Sequence, residues 1–166
     1  MPLEERVSCE WRQQITLDFH DLVLGKRLGG GLSREVFEFA YDPHYVVKIE
    51  AQSNFQNATE YMTWEAVMGT KWAKWFAPVK RISPLGTALI MRRAVLAEDA
   101  PAKAKVSFPT MLPDFLADSR TCNWGWMAGR WVMVDYGMTR LLSSGLKRVR
   151  MVPGDKVASA FTGAAS

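Results

Sequence analysis

Three short runs rich in Val, Leu, Phe and Tyr follow one another between Asp21 and Glu50, broken by Gly29-Gly30-Gly31 and then by Asp42-Pro43-His44. Apolar runs of this length between turn residues predict strands over 22–28, 35–41 and 45–50, joined as an antiparallel meander. In the middle run Val36, Glu38 and Ala40 alternate with Phe37, Phe39 and Tyr41, so one face is strongly apolar and has to be covered. The expected cover is a helix over 58–75, where Tyr61, Trp64, Met68, Trp72 and Trp75 recur every three or four residues, with Asn57 as its N-cap. Two further strands are expected over 79–83 and 87–92, separated by Pro84, Leu85 and Gly86. The first half therefore reads as three strands, a helix and two strands.

Residues 94–110 carry Ala, Lys and two prolines without a clear period, which suits a connector with at most one short helix. Apolar runs over 124–127 and 130–134 then flank Ala128-Gly129, the pattern of a tight hairpin. The whole reads as one α+β domain: a sheet-plus-helix lobe over 21–93, a smaller second lobe over 94–157, and a loose small-residue tail over 158–166. At 166 residues, 48% hydrophobic and 23% charged, the chain can bury a real core. Apolar stretches long enough to span a bilayer are missing, and the first twelve residues carry charges where a signal peptide needs an apolar stretch. With Cys9 and Cys122 as its two cysteines, the expected compartment is the cytoplasm.

The formal net charge is +4, and residues 140–156 account for all of it: Arg140, Lys147, Arg148, Arg150 and Lys156 against Asp155. A basic end of this kind is most simply a solvated surface, although it could also meet nucleic acid.

Four constellations could carry chemistry. Gly29, Gly30 and Gly31 lie between two expected strands, where unhindered backbone N–H groups can face phosphate oxygens; a ligand-free hairpin turn is the alternative. Lys48 follows Val36 by twelve residues, so antiparallel pairing of their strands would project its ammonium beneath the glycine turn, unless it simply faces solvent. Glu60, another twelve residues on, could hold that ammonium, or could complete a capping box with Asn57. Finally, Asp118-Ser119-Arg120-Thr121-Cys122-Asn123 precedes the hairpin and Asp135-Tyr136-Gly137 follows it. The hairpin would set Asn123 beside Asp135, and Asp and Asn oxygens are ligands that Mg²⁺ accepts.

In order, these features resemble the protein kinase layout over residues 28–137, roughly two thirds of the chain. The sequence is also similar to the compact kinase-like proteins that phages encode. The resemblance implies a five-stranded N-lobe with one packed helix and a much reduced second lobe, binding ATP and Mg²⁺. It implies that Gly29, Gly30 and Gly31 cover the phosphates, that Lys48 binds them and that Glu60 orients Lys48. Met91, in the segment running into the hinge, would meet adenine. Asp118 would accept the proton of an attacking hydroxyl with Arg120 as the neighbouring cation, and Asn123 and Asp135 would hold Mg²⁺. The sequence departs from the family at Arg34 for the third glycine, at Leu116-Ala117 before the catalytic aspartate, and at Tyr136 for Phe.

The leading expectation is a minimal phosphotransferase acting on a hydroxyl. A pseudokinase-type protein that binds and regulates a host protein is the rival, and a small basic nucleic-acid binder the third reading. His20 and His44 lack zinc-site spacing, and no serine has a nucleophile-elbow context. The seven tryptophans, at helix and strand spacing, are expected in the core rather than as stacking platforms.

Overall fold

The structure is a computed structural model that describes residues 9–31, 33–50, 55–117 and 119–162. Helix α1 (Cys9–Val23) runs directly into β1 (Leu24–Gly30), followed by β2 (Arg34–Phe39) and β3 (Tyr45–Glu50). Helix α2 (Gln56–Val67) then separates β3 from β4 (Val79–Ile82) and β5 (Ala88–Arg92). These five strands form one antiparallel sheet in the order β1-β2-β3-β5-β4. The expected strands and their meander are thus present, with ends displaced by one or two residues.

After β5 the chain passes through Arg93 and Ala94 into a second region. Strands β6 (Val95–Leu96), β8 (Trp124–Met127) and β9 (Arg130–Met133) form a three-stranded sheet in the order β6-β8-β9. A two-stranded ribbon pairs β7 (Met111–Pro113) with β10 (Met151–Pro153). Its described residues also form three short α-helices, α3 (Ala102–Val106), α4 (Leu141–Ser144) and α5 (Asp155–Thr162), and three 3₁₀ turns. The β8–β9 hairpin turns at Ala128 and Gly129, both at positive φ (50° and 77°), as a two-residue turn that follows strand twist requires. Among the described residues, no helix is long and apolar enough to cross a membrane.

Helix α2 corrects three expectations. It ends at Val67 rather than 75, because Gly69 takes a left-handed conformation (φ 79°) and the chain turns before the short 3₁₀ segment Ala73–Trp75. Its buried residues are Asn57, Glu60, Thr63 and Val67, whereas Tyr61 and Trp64 are half-buried and Met68 is exposed. The inward stripe is therefore offset by one residue from the aromatic one. Nor is Asn57 the N-cap. Glu50, at the end of β3, accepts hydrogen bonds through Oε2 from the backbone N–H groups of Gln56 (3.0 Å) and Asn57 (3.1 Å), placing a carboxylate at the helix's positive end. Asn57 instead lies inside the helix, its buried Nδ2 donating to the carbonyls of Lys48 (3.1 Å), Gly86 (3.0 Å) and Thr87 (3.3 Å).

The sheet has two covered faces. Val36 and the buried Val46, Leu89 and Met91 point toward α2 and belong to the main core. Phe37 and Phe39 point the other way, into a smaller cluster with Leu24, Val47, Ile49 and Ile90. The apolar face of β2 is thus covered from the α1 side, where His20 meets Phe37 edge-on at 5.9 Å, and not by α2 as the pattern suggested. One main core continues from the sheet into the second region. Phe76 packs between Tyr136 (4.9 Å) and Phe115 (5.9 Å), and Ala77 N–H donates to Met133 O at 2.9 Å. Phe161 of α5 sits 4.5 Å from Phe108 and 4.6 Å from Trp131. Residues 158–162 are therefore ordered helix rather than the expected loose tail; 163–166 lie outside the described residues. Trp75, Trp124 and Trp131 are buried, and Trp64, Trp72 and Trp126 pack at the core's edge.

Truncating Asn57 to Ala leaves three inward carbonyls without their shared donor. We expect a loss of about 2–3 kcal/mol, seen as a fall of about 5–10 °C in the melting temperature by circular dichroism.

Candidate functional site

Strand register positions the first two groups. Val36 and Lys48 are direct partners across β2 and β3, and residues of equal parity on adjacent strands share a face. Lys48 therefore points inward below the turn that joins β1 to β2, where Gly29 pairs with Val36 and Gly30 with Glu35. Only 4% of Lys48 is exposed. Its ammonium donates to both Glu60 oxygens, at 3.0 Å to Oε1 and 2.8 Å to Oε2, and to the carbonyl of Val134. All three of its N–H donors are thus used. The choice left open for Glu60 is decided by this contact: it holds Lys48 and caps nothing.

Glu60 is fully buried and takes more than one partner. Its Oε1 accepts from the backbone N–H of Tyr136 at 3.0 Å, which fixes the segment after β9 against α2. Arg34 Nη1 lies 3.1 Å from the same oxygen, while its Nη2 donates to Asp135 Oδ1. Gly137 is packed so tightly against Gln56 that an added Cβ would come within 2.9 Å of that residue's Cβ. Tyr136 also donates its phenolic O–H to Ala77 O at 2.8 Å. Two cations and two carboxylates, from β2, β3, α2 and the residues after β9, are thereby gathered in one cluster.

Burial shifts these groups. It pulls the Lys48 ammonium below its ordinary value, outweighing the attraction of Glu60. For Arg34 burial pulls the same way, but Glu60 and Asp135 together outweigh it and the net direction is up. The Tyr136 phenol is pushed well above 10.0, first by burial and then by the charge of Glu60.

The cluster opens on a cleft of about 1320 Å³. Gly29, Gly30 and Gly31 form its roof, Val36, Val46 and Met91 its apolar wall, and Arg34, Lys48, Asn123 and Asp135 its polar end. Gly29 and Gly31 have open space where a Cβ would stand, and neither has a positive φ. Packing and backbone conformation thus leave both positions free to carry a side chain. Asn123 precedes β8, and its backbone carbonyl accepts from the N–H groups of Val134 (2.8 Å) and Asp135 (3.4 Å), so the hairpin does bring Asn123 beside Asp135. Asp135 is half exposed to the cleft. Among the described residues, no three His, Cys, Asp or Glu side chains converge on one point, so a cation here would rest on Asp135 and Asn123 and complete its shell from a ligand and water.

Of the sequence-derived residues, Gly29, Gly30, Gly31, Lys48, Met91, Asn123 and Asp135 line the one cleft, with Glu60 directly behind Lys48. Arg120 is exposed and is not among the residues lining it. Asp118 lies outside the described residues. The basic residues Arg140, Arg148 and Arg150 are exposed away from the cleft. Sequence reasoning passed over Arg34, treating it only as a missing glycine. Its parity with Val36 and Lys48 was the available signal, since residues two apart on a strand face the same way. No protein-family model matches the sequence, and no curated protein matches it significantly.

Replacing Glu60 by Gln strands the Lys48 ammonium and Arg34 guanidinium in a buried site. The expected cost is about 3–5 kcal/mol, a drop on the order of 10 °C in melting temperature. A smaller pH effect isolates Tyr136. Because its folded pKa is raised, its contribution to stability is complete below about pH 10 and fades as pH rises beyond. Tyr136→Phe should melt a few degrees lower at pH 8, having lost the bond to Ala77, but should lose less stability than wild type between pH 10 and 11.5.

Proposed function

We propose that this chain is a minimal kinase-like protein that binds ATP with Mg²⁺ and moves the γ-phosphate to a hydroxyl acceptor. The observation that most supports the reading is the convergence of the Lys48–Glu60 pair, Asp135 and the glycine turn on one cleft with an apolar wall. A site for a nucleoside triphosphate needs an apolar slot at one end, cations at the other and close backbone approach between them. Leu28, Val36, Val46 and Met91 suit the base, and the open space at Gly29 and Gly31 suits phosphate oxygens.

Each residue then has a task. Lys48, held by Glu60, presents its charge to the phosphates. Gly29, Gly30 and Gly31 offer backbone N–H groups from above. Asp135 and Asn123 present oxygens of the type Mg²⁺ takes, and the bound ion would neutralise charge building on the transferred phosphoryl group. Asp118 is assigned the acceptor's proton, with Arg120 nearby in sequence as a cation. Positioning and charge neutralisation provide most of the catalysis in phosphoryl transfer, so a small set of groups can suffice.

Two observations favour a second reading, a nucleotide-binding pseudokinase that regulates a host protein. Arg34 already engages Asp135, and among the described residues the second region offers three short α-helices and a few 3₁₀ turns as a platform for a substrate.

Thermal shift with ATP and Mg²⁺ tests the common core of both. Ligand at a hundred times its Kd adds about 2.7 kcal/mol, a rise of about 5–10 °C, and Lys48→Met should abolish it. No rise in wild type would overturn nucleotide binding. Transfer from labelled ATP that vanishes in Asp118→Ala supports the enzyme; a rise without any transfer supports the regulator.

A further inference from the structure

The cleft holds one buried cation to which the kinase resemblance assigns no task. Arg34 starts β2, is 7% exposed, lines the cleft, and divides its guanidinium between Glu60 Oε1 (3.1 Å) and Asp135 Oδ1. Glu60 does not depend on it for neutralisation, since Lys48 already reaches both carboxylate oxygens. Asp135 is different. Arg34 is its ion-pair partner among the described residues, and the same carboxylate, beside Asn123, is a charged oxygen donor open to a cation at this end of the cleft.

Charge arithmetic makes this arrangement consequential. With Lys48, Arg34, Glu60 and Asp135 ionised, the cluster is neutral. A divalent cation arriving alone at Asp135 would face the guanidinium at close range. A phosphate arriving alone would face the Asp135 carboxylate and find Arg34 engaged. When both arrive, Asp135 can exchange Arg34 for the cation while Arg34 turns its fork to phosphate, a geometry as suitable as carboxylate. Every charge then keeps a partner.

Building on the nucleotide-binding reading above, we propose that Arg34 is an exchangeable counter-ion, paired with Asp135 in the resting site and with a nucleotide phosphate in the loaded one. Within the pair Arg34 disfavours metal alone, and Asp135, by engaging Arg34, disfavours nucleotide alone, so the two ligands are coupled. Coupling of this kind is reciprocal and typically amounts to roughly 5–150-fold in affinity.

The test measures two affinities separately: Mn²⁺ alone, by electron paramagnetic resonance, and ATP alone in EDTA, by calorimetry. In Arg34→Gln, Mn²⁺ should bind about tenfold more tightly and metal-free ATP about tenfold more weakly. Asp135→Asn should do the reverse, weakening Mn²⁺ and strengthening metal-free ATP, because Arg34 is released. Arg34→Lys, which keeps the charge without the fork, should restore part of the ATP affinity. A merely structural Arg34 would weaken both ligands together, and that result overturns the proposal. So does Asp135→Asn with weakened metal-free ATP, which stands as the test should Arg34→Gln fail to fold. If wild type binds no ATP even when Mn²⁺ is supplied with it, the nucleotide reading itself is overturned and this inference with it; binding without the mirrored changes removes only Arg34's role.

Discussion

A single buried carboxylate organises this protein. Glu60 has no exposed surface, and an ionised carboxylate out of water persists only where cations and N–H donors surround it. Those groups come from far apart in the chain: Lys48 from β3, Arg34 from β2, and the backbone of Tyr136 from the segment after β9. Meeting the needs of this one charge therefore fixes the depth of α2 against the sheet and ties the second region to the first.

The same requirement explains the unusual inward face of α2. A helix on a sheet normally buries an apolar stripe; this one buries Asn57, Glu60 and Thr63 before reaching Val67. Apolar packing is supplied instead by neighbours. Phe76 stacks on Phe115 and meets Tyr136 edge-on beside the ion cluster, and Trp75, Trp124, Phe108 and Trp131 continue the packing into the second region. The polar face is thus embedded in an aromatic surround, which lowers the local dielectric and strengthens every pairing inside it.

The cleft follows from these constraints. β1 and β2 carry the glycine turn beyond the covered part of the sheet, while β6 and the β8–β9 hairpin build the opposite side, so a gap is left with charge at one end and side chains such as Val46 and Met91 along its wall. Its chemistry is that of a site balanced before anything binds. A charge entering it has to be met by a rearrangement of Lys48, Arg34 or Asp135, and the nucleotide–metal ligand we propose would meet that requirement with both of its charges.

By itself the sequence determined the five strands of the main sheet, the glycine turn and the tight hairpin, and it offered Lys48 and Glu60 as a pair without deciding between that and a helix cap. These depend on local patterns: alternation in β2, turn residues at 42–44 and 84–86, and a spacing that antiparallel pairing converts into adjacency. Helix α1 escaped notice because much of its apolar surface, Leu17, Phe19 and Leu22, stays exposed and leaves no clean stripe. Only the tertiary structure decided which face of α2 turns inward, that Glu50 rather than Asn57 caps it, and that Arg34 joins the ion cluster. The physical reason is common to all three. Each sets a polar group against a partner outside its own element, from Glu50 acting on α2 to Arg34 reaching Asp135, and the free energy of satisfying buried polar and charged groups outweighs the local preference that periodicity can report.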